Sequence, residues 1–180
     1  MNFAALWRGL RPRVPAANRF LFPLPVPVRI ALLETSFHAE ANMCECTVED
    51  LPWLRMWAPE AIVLPIGLAL SLADQKQRGL LDLPSLDTAI VVLTSLDDSP
   101  LADHHRDLLW HAFGVPVFEQ LCAADGAVLA RECEVHDGLH FQSSDPPGIA
   151  GSVVTDHCAC GAETPRLRNL AAARAKSAAA

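Results

Sequence analysis

Of the six cysteines in this chain, four come as two Cys-x-Cys pairs, Cys44/Cys46 and Cys158/Cys160, with Cys122 and Cys133 apart. Cysteines separated by one residue are poorly placed to bond each other and well placed to hold one metal ion. Cys133 begins the run Cys-Glu-Val-His-Asp-Gly-Leu-His, which sets a thiol and the imidazole of His140 on either side of a glycine turn. Cys158-Ala-Cys160-Gly161 adds two thiols on a tight knuckle, where Gly161 lets the backbone turn its amides toward them. Zinc takes four nitrogen or sulfur ligands in a tetrahedron, with the thiols deprotonated. Cys133, His140, Cys158 and Cys160 therefore form the candidate metal set. Three thiolates and one imidazole leave no position open for water, so the expected zinc is structural rather than catalytic.

Other assignments compete with this one. His136 stands at Cys-x-x-His spacing from Cys133 and is an alternative to His140, while His157 adjoins the knuckle. Cys44 and Cys46 can instead join Cys158 and Cys160 in a four-thiol site. Cys133 is preferred because its hairpin is local to the knuckle. The carboxylates beside Cys44 and Cys46 disfavour the thiolate, so this pair is not expected to be unusually acidic. His104 and His111 share a helix face at a spacing too wide to chelate one ion, and are read as surface residues. Glu119 ends an expected strand and is read as solvated. Cys122, in an expected loop, has no evident partner to activate it as a nucleophile.

The elements that must position these residues follow from pattern. Val26 to Leu33 is apolar and β-prone and reads as a first core strand. Asp50 to Asp74 reads as two helical stretches parted near Pro59, and Gly79 to Leu86 as a connection. Thr88 to Thr94 is a β-branched run of the kind buried on both faces in a parallel sheet. Ser99-Pro100 opens a helix with Leu101, Leu108, Leu109, Ala112 and Phe113 on its apolar face, and Gly114 ends it. Val115 to Glu119 is a further strand, so strand, helix and strand form one crossover unit with the right-handed turn such units take. Asp125-Gly126 and Asp137-Gly138 flank the alternating segment Ala127 to Val135, a β-meander, and Val153 to Asp156 leads as a short strand into the knuckle.

The run from Leu93 to Phe118, followed by Glu132-Cys133, Gly138-Leu139-His140, Cys158-Ala-Cys160-Gly161 and Arg166-Leu167, resembles the central region of the phenylacetate–CoA ligase family of acyl-adenylating enzymes. The resemblance extends from about Thr88 to Leu167. It implies an α/β fold: part of an acyl-adenylating-enzyme sheet with flanking helices, then a small β-meander and the zinc knuckle. It also implies an ATP site, and there the chain departs from the family. The family's adenylate-binding turn carries Tyr-Gly, a hydroxyl residue and Glu, whereas this chain contains no tyrosine and reads Phe118-Glu119-Gln120-Leu121. Residues 141 to 157, 17 in number, separate His140 from Cys158, too few for the segment that supplies the family's ribose-binding Asp. A phosphate loop with its Lys and a lid domain with a catalytic Lys are not found, and the lysines are Lys76 and Lys176. Adenylation needs oriented positive charge and backbone donors around the phosphates. The expectation is a zinc-stabilised relative without autonomous ligase activity and without assigned catalytic or cofactor-binding residues. A small CoA ligase and a thiol-rich metal or redox protein are the alternatives.

Composition bounds the rest. At 180 residues, 51% hydrophobic and 19% charged, the chain suits one globular domain. Residues 1–25 read as a loose N-terminal extension, 26–168 as a single α/β domain, and 169–180 as a tail. No Asp or Glu precedes Glu34, while Arg8, Arg11, Arg13, Arg19 and Arg29 do. That pattern suggests a transit peptide, but the lack of Ser or Thr before Thr35 and the five prolines argue against one. A net charge of -7 gives no support for nucleic-acid binding. The longest apolar run, Ala61 to Leu70, is too short for a membrane span. The expected location is the cytoplasm, where thiols stay reduced. The expected partner is a small carboxylate or acyl ligand, or another protein.

Overall fold

A computed structural model describes residues 20–24, 28–98, 101–144 and 152–168. The described residues form a mixed α/β structure around one nine-stranded sheet. Strands β1 (Ile30–Leu33), β2 (Met43–Cys46), β3 (Ala61–Pro65), β4 (Ala89–Ser95) and β5 (Val117–Cys122) are joined in part by α1 (Leu51–Trp57), α2 (Ile66–Gln77) and α3 (Asp103–Phe113). Four short strands follow: β6 (Val128–Glu132), β7 (Leu139–Phe141), β8 (Ser152–Val154) and β9 (Arg166–Arg168). The spatial order is β2-β1-β3-β4-β5-β6-β7-β9-β8. Pairing is parallel from β2 through β5 and antiparallel from β5 onward. The change of direction falls at β5, where the helical crossovers give way to a meander.

Alternation along the parallel strands divides the core in two. Ala31, Leu33, Ile62, Leu64, Ile90 and Val92 face the helices, meeting Leu54 of α1, Leu72 of α2 and Leu109 of α3. Ile30, Leu32, Val63, Val91 and Phe118 face the other way and pack against Phe20 and Phe37. A third, smaller cluster joins Leu121, Ala130, Leu139, Phe141 and Leu167 across the antiparallel end. Of the expected extension 1–25, residues 20–24 are described. Gln120 Nε2 donates to Leu21 O at 2.7 Å and Arg131 to Phe22 O at 3.3 Å. The expected tail at 169–180 lies outside the described residues.

Several expected elements shift. Val28 and Arg29 precede β1 rather than belonging to it, and Val26 lies outside the described residues. The second helical stretch expected between Asp50 and Asp74 begins instead with a strand, β3. Ala61–Leu64 is buried on both sides between β1 and β4, and such a short apolar run has no period to separate strand from helix. Pro65 then closes the strand and caps α2, with φ -62° and ψ 149°. Helix α3 starts at Asp103 after Ala102, and the expected cap Ser99-Pro100 lies outside the described residues. Gly114 does end it, in the left-handed conformation at φ 71°. Among the described residues no helix is long and apolar enough to cross a membrane.

Candidate metal centre

Strands β6 and β7 form the hairpin that presents the first two donors. Cys133 directly follows β6, and His140 sits mid-β7 opposite Arg131 on one side and Arg166 on the other. Because Leu139 and Phe141 face the small third cluster, alternation sends His140 to the opposite face. The knuckle brings Cys158 and Cys160 to the same point. One donor atom from each of Cys133, His140, Cys158 and Cys160 lies within 4.8 Å of the others. Cys158 and His140 are buried, and Cys133 and Cys160 half-buried.

The spacing fits a tetrahedral ion. Zinc–sulfur bonds of about 2.3 Å at tetrahedral angles put sulfurs about 3.8 Å apart and a sulfur and an imidazole nitrogen about 3.6 Å apart. Cys133 Sγ lies 3.8 Å from Cys158 Sγ, and Cys160 Sγ lies 3.4 Å from His140 Nε2. Each thiol also accepts a backbone amide from two residues ahead: Cys133 from Val135, Cys158 from Cys160, and Cys160 from Ala162 at 3.5 Å. Such amides stabilise thiolate charge. Burial alone would raise the Cys158 pKa, but the Cys160 amide, the neighbouring thiols and Arg166 outweigh it and bring it down. Burial, with the two neighbouring thiols, pushes Cys133 up to about 11 although the Val135 amide opposes it. Three thiols this close do not all ionise readily without a cation among them.

His140 Nδ1 lies 3.3 Å from Thr164 Oγ1, leaving Nε2 directed at the thiols. Burial, with Arg166 and Arg131 nearby, lowers its pKa and favours the neutral imidazole that ligates metal. The alternative ligands are placed elsewhere. His136, with φ 55°, bonds Glu132 at 3.1 Å and stacks on Phe118 at 4.8 Å. His157 is exposed and outside the donor cluster. The four-thiol site is excluded, since Cys44 and Cys46 lie on β2 at the far edge of the sheet.

Arg166, fully buried on β9, binds the frame together. It forms charge-assisted hydrogen bonds to Asp137 in the hairpin turn and Asp156 before the knuckle, and Arg168 Nε donates to Asp137 Oδ1 at 2.9 Å. The bonds from Arg168 and Arg166 hold the Asp137 carboxyl below its usual range. Gly138, at φ 85°, lets the turn approach β9 so closely that a Cβ would stand 2.9 Å from Leu167 O. The Asp-Gly dipeptide signals a turn in the sequence, whereas nothing local marks Arg166 as its partner or Thr164 as the partner of His140.

Glu119 corrects the reading of a solvated strand end. It is buried, accepts from Thr94 Oγ1 at 2.7 Å and faces Arg106 at 3.7 Å. Arg106 also meets buried Glu132 at 3.0 Å, and Glu132 accepts the Glu119 amide at 2.8 Å. Burial raises the Glu119 pKa although Thr94 and Arg106 oppose it. A cleft of about 910 Å³ opens beside this network between α3 and the hairpin. Cys122 ends β5 rather than lying in a loop, and burial pushes its thiol up to about 11, unsuited to a nucleophile. His104 and His111 are exposed on α3. A second crevice, about 360 Å³, runs along the carboxyl ends of β1, β3, β4 and β5, lined by Thr35, Ser36, Thr94, Ser95 and Gly126.

No family model matches the chain, and no curated protein matches it. Solved structures do. One is an open conformation of 2-hydroxyisobutyryl-CoA ligase with 2-HIB-AMP and CoA, at TM-score 0.60 and 13% identity, covering 78% of this chain and 44% of the ligase. The same ligase in its thioesterification state matches at TM-score 0.58 and 14% identity, covering 78% and 42%. Its postadenylation state matches at TM-score 0.58 and 12% identity over the same shares. The chain thus spans less than half the length of these ligases, and it has the fold of part of an acyl-CoA ligase, with a cluster of three cysteines and a histidine able to bind a metal.

Proposed function

We propose that the chain is a zinc-stabilised protein related to the phenylacetate–CoA ligase-like adenylating enzymes, and that it does not form acyl-adenylates on its own. The observation that carries the zinc assignment is the four-donor spacing, with a sulfur–sulfur edge of 3.8 Å between Cys133 and Cys158. Zinc in this set is closed to water, so it clamps the hairpin to the knuckle and supplies no Lewis-acid site. The chain's residues present three thiolates held by backbone amides and one neutral imidazole held by Thr164.

The absence of ligase activity is inferred from the strand that would carry the adenylate turn. Gln120 and Leu121 are fully buried there, and Glu119 is engaged with Thr94 and Arg106 rather than free for a nucleotide or its metal. The crevice at the carboxyl ends of the parallel strands is the place for a small carboxylate or acyl ligand, since open α/β sheets bind ligands at that end. All six cysteines are free thiols, which suits a reducing cytoplasm.

Elemental analysis of purified protein tests the metal, with one zinc per chain expected and none in Cys158→Ser. Zinc retained in that variant rules the assignment out. Incubation with ATP and phenylacetate tests the activity. No pyrophosphate release above background is expected, and sustained turnover would establish the small-ligase alternative.

A further inference from the structure

The β2 thiols remain outside the metal centre, and their geometry differs from it. Cys44 and Cys46 lie two residues apart on one strand, so both side chains leave the same face of the sheet. Their sulfurs stand 3.2 Å apart, closer than the edge of the zinc tetrahedron. Cys46 is buried against the helix-side core and Cys44 half-buried beside it. Cys46 also lines a crevice of about 360 Å³ with Glu34, Thr35, Glu45, Thr47 and Asp50.

Three features narrow what this pair can take. First, both thiols are raised in pKa, mainly by burial, with Asp50 adding to the effect, so they are protonated at neutral pH. That disfavours thiolate nucleophilicity and disulfide exchange. Second, the carboxylates around the crevice already have partners. Glu34 accepts from the Val48 amide at 3.2 Å, Glu45 from the Ala39 amide at 2.7 Å, and Asp50 from the Thr47 amide at 2.8 Å. A divalent cation would find two protonated thiols there, with one oxygen of each carboxylate already engaged. Third, the short separation selects bond angle. A linear two-coordinate ion holds its sulfurs far apart and a tetrahedral ion holds them about 3.8 Å apart. A pyramidal centre whose bonds meet near a right angle draws them closer.

We infer that Cys44 and Cys46 form a dithiol site for trivalent arsenicals, separate from the metal centre. The reaction is a condensation. Each thiol hydrogen leaves with an arsenic-bound hydroxyl as water, two As–O bonds break and two As–S bonds form, and no electrons are transferred. Neither reactant need ionise, so the acidic rim is no obstacle. The second As–S bond is intramolecular, and this distinguishes a dithiol from an isolated cysteine.

The test uses full-length reduced protein titrated with phenylarsine oxide, followed by peptide mass mapping and zinc analysis. One arsenical is expected on the peptide holding Cys44 and Cys46. It should survive excess monothiol, be removed by a small dithiol, and leave the metal content of the protein unchanged. Cys44→Ser and Cys46→Ser should each weaken retention by about a hundredfold or more, the usual gain from an intramolecular second bond. Cys122→Ser should not. If Cys46→Ser fails to fold by thermal melting, Cys44→Ser at the half-exposed position carries the comparison. An adduct confined to Cys133, Cys158 and Cys160, removal by monothiol, or undiminished binding to Cys44→Ser would overturn the inference. Because the adduct is located by peptide, failure here is distinguishable from failure of the zinc assignment.

Discussion

In the proposed zinc site, His140 depends on a residue that would not touch the ion. With Nε2 on the metal, Nδ1 keeps its proton and donates toward Thr164, 3.3 Å away, which fixes both tautomer and ring plane. Thr164→Val removes the hydroxyl but keeps the Thr164 backbone contact to the ring, so it should keep the zinc stoichiometry and lower affinity by about 10-fold, the low end of the usual cost of losing such a partner. Competition with a chromophoric chelator reads this directly, and an unchanged affinity would show that the Thr164 backbone and packing orient the ring without the hydroxyl. Glu119 makes a different prediction. Because burial raises its pKa, the folded chain holds that proton more firmly than the unfolded chain does. The stability it contributes is therefore complete below its unfolded value and is lost as pH rises through the folded one. Glu119→Gln removes that loss while retaining an acceptor for Thr94. Its stability relative to the parent should rise between about the ordinary carboxylate value of 4.5 and neutrality. Denaturant melts across that range check it, and a difference independent of pH would mean that Arg106 compensates the charge fully.

At the scale of elements, legibility depended on whether a signal was local. The Cys-x-Cys-Gly knuckle and the Cys133 to His140 hairpin carry their ligands within eight residues or fewer, so spacing alone identified the set that meets in space. Thr88 to Thr94 declared a doubly buried strand through β-branching, and β4 occupies Ala89–Ser95. Strand β3 stayed hidden because Ala61–Pro65 is uniformly apolar and runs straight into α2, which continues the same composition. The burial of Glu119 was hidden for another reason: it requires Arg106 and Glu132, brought in from a helix and a strand that no sequence pattern links. The hairpin turn offers a sharp test of positioning. Gly138→Ala would force an L-residue to φ 85° and drive its Cβ to 2.9 Å from the Leu167 carbonyl. The loss should be at least about 1 kcal/mol, since alanine is strained where φ is positive. Zinc affinity should fall with it, because the same turn carries Asp137, the partner of Arg166 and Arg168. A melt and a chelator titration on one sample would reveal whether the two losses travel together.

Across the whole molecule, the two ends of the sheet rest on different foundations. The parallel part is buried on both faces, by three helices on one side and by Phe20 and Phe37 on the other. Among the described residues the antiparallel part has the small cluster of Leu121, Ala130, Leu139, Phe141 and Leu167, and its strands β7, β8 and β9 are three residues each. A structural zinc site contributes apparent free energy on the order of 10 kcal/mol, far more than strands of that length supply themselves. Arg166 adds to this dependence. Its guanidinium is buried between Asp137 and Asp156, and the pair of contacts holds only while hairpin and knuckle stay together. On the proposed assignment, removing zinc with a chelator should therefore release the antiparallel end first. Hydrogen exchange should lose protection in β7, β8 and β9, while Ile62, Val63, Ile90 and Val91, paired between neighbouring parallel strands, stay protected. A uniform loss over all nine strands would mean the sheet unfolds as one cooperative unit. No loss anywhere would mean the ion is dispensable and the buried arginine, with its two carboxylates, suffices to hold the knuckle in place.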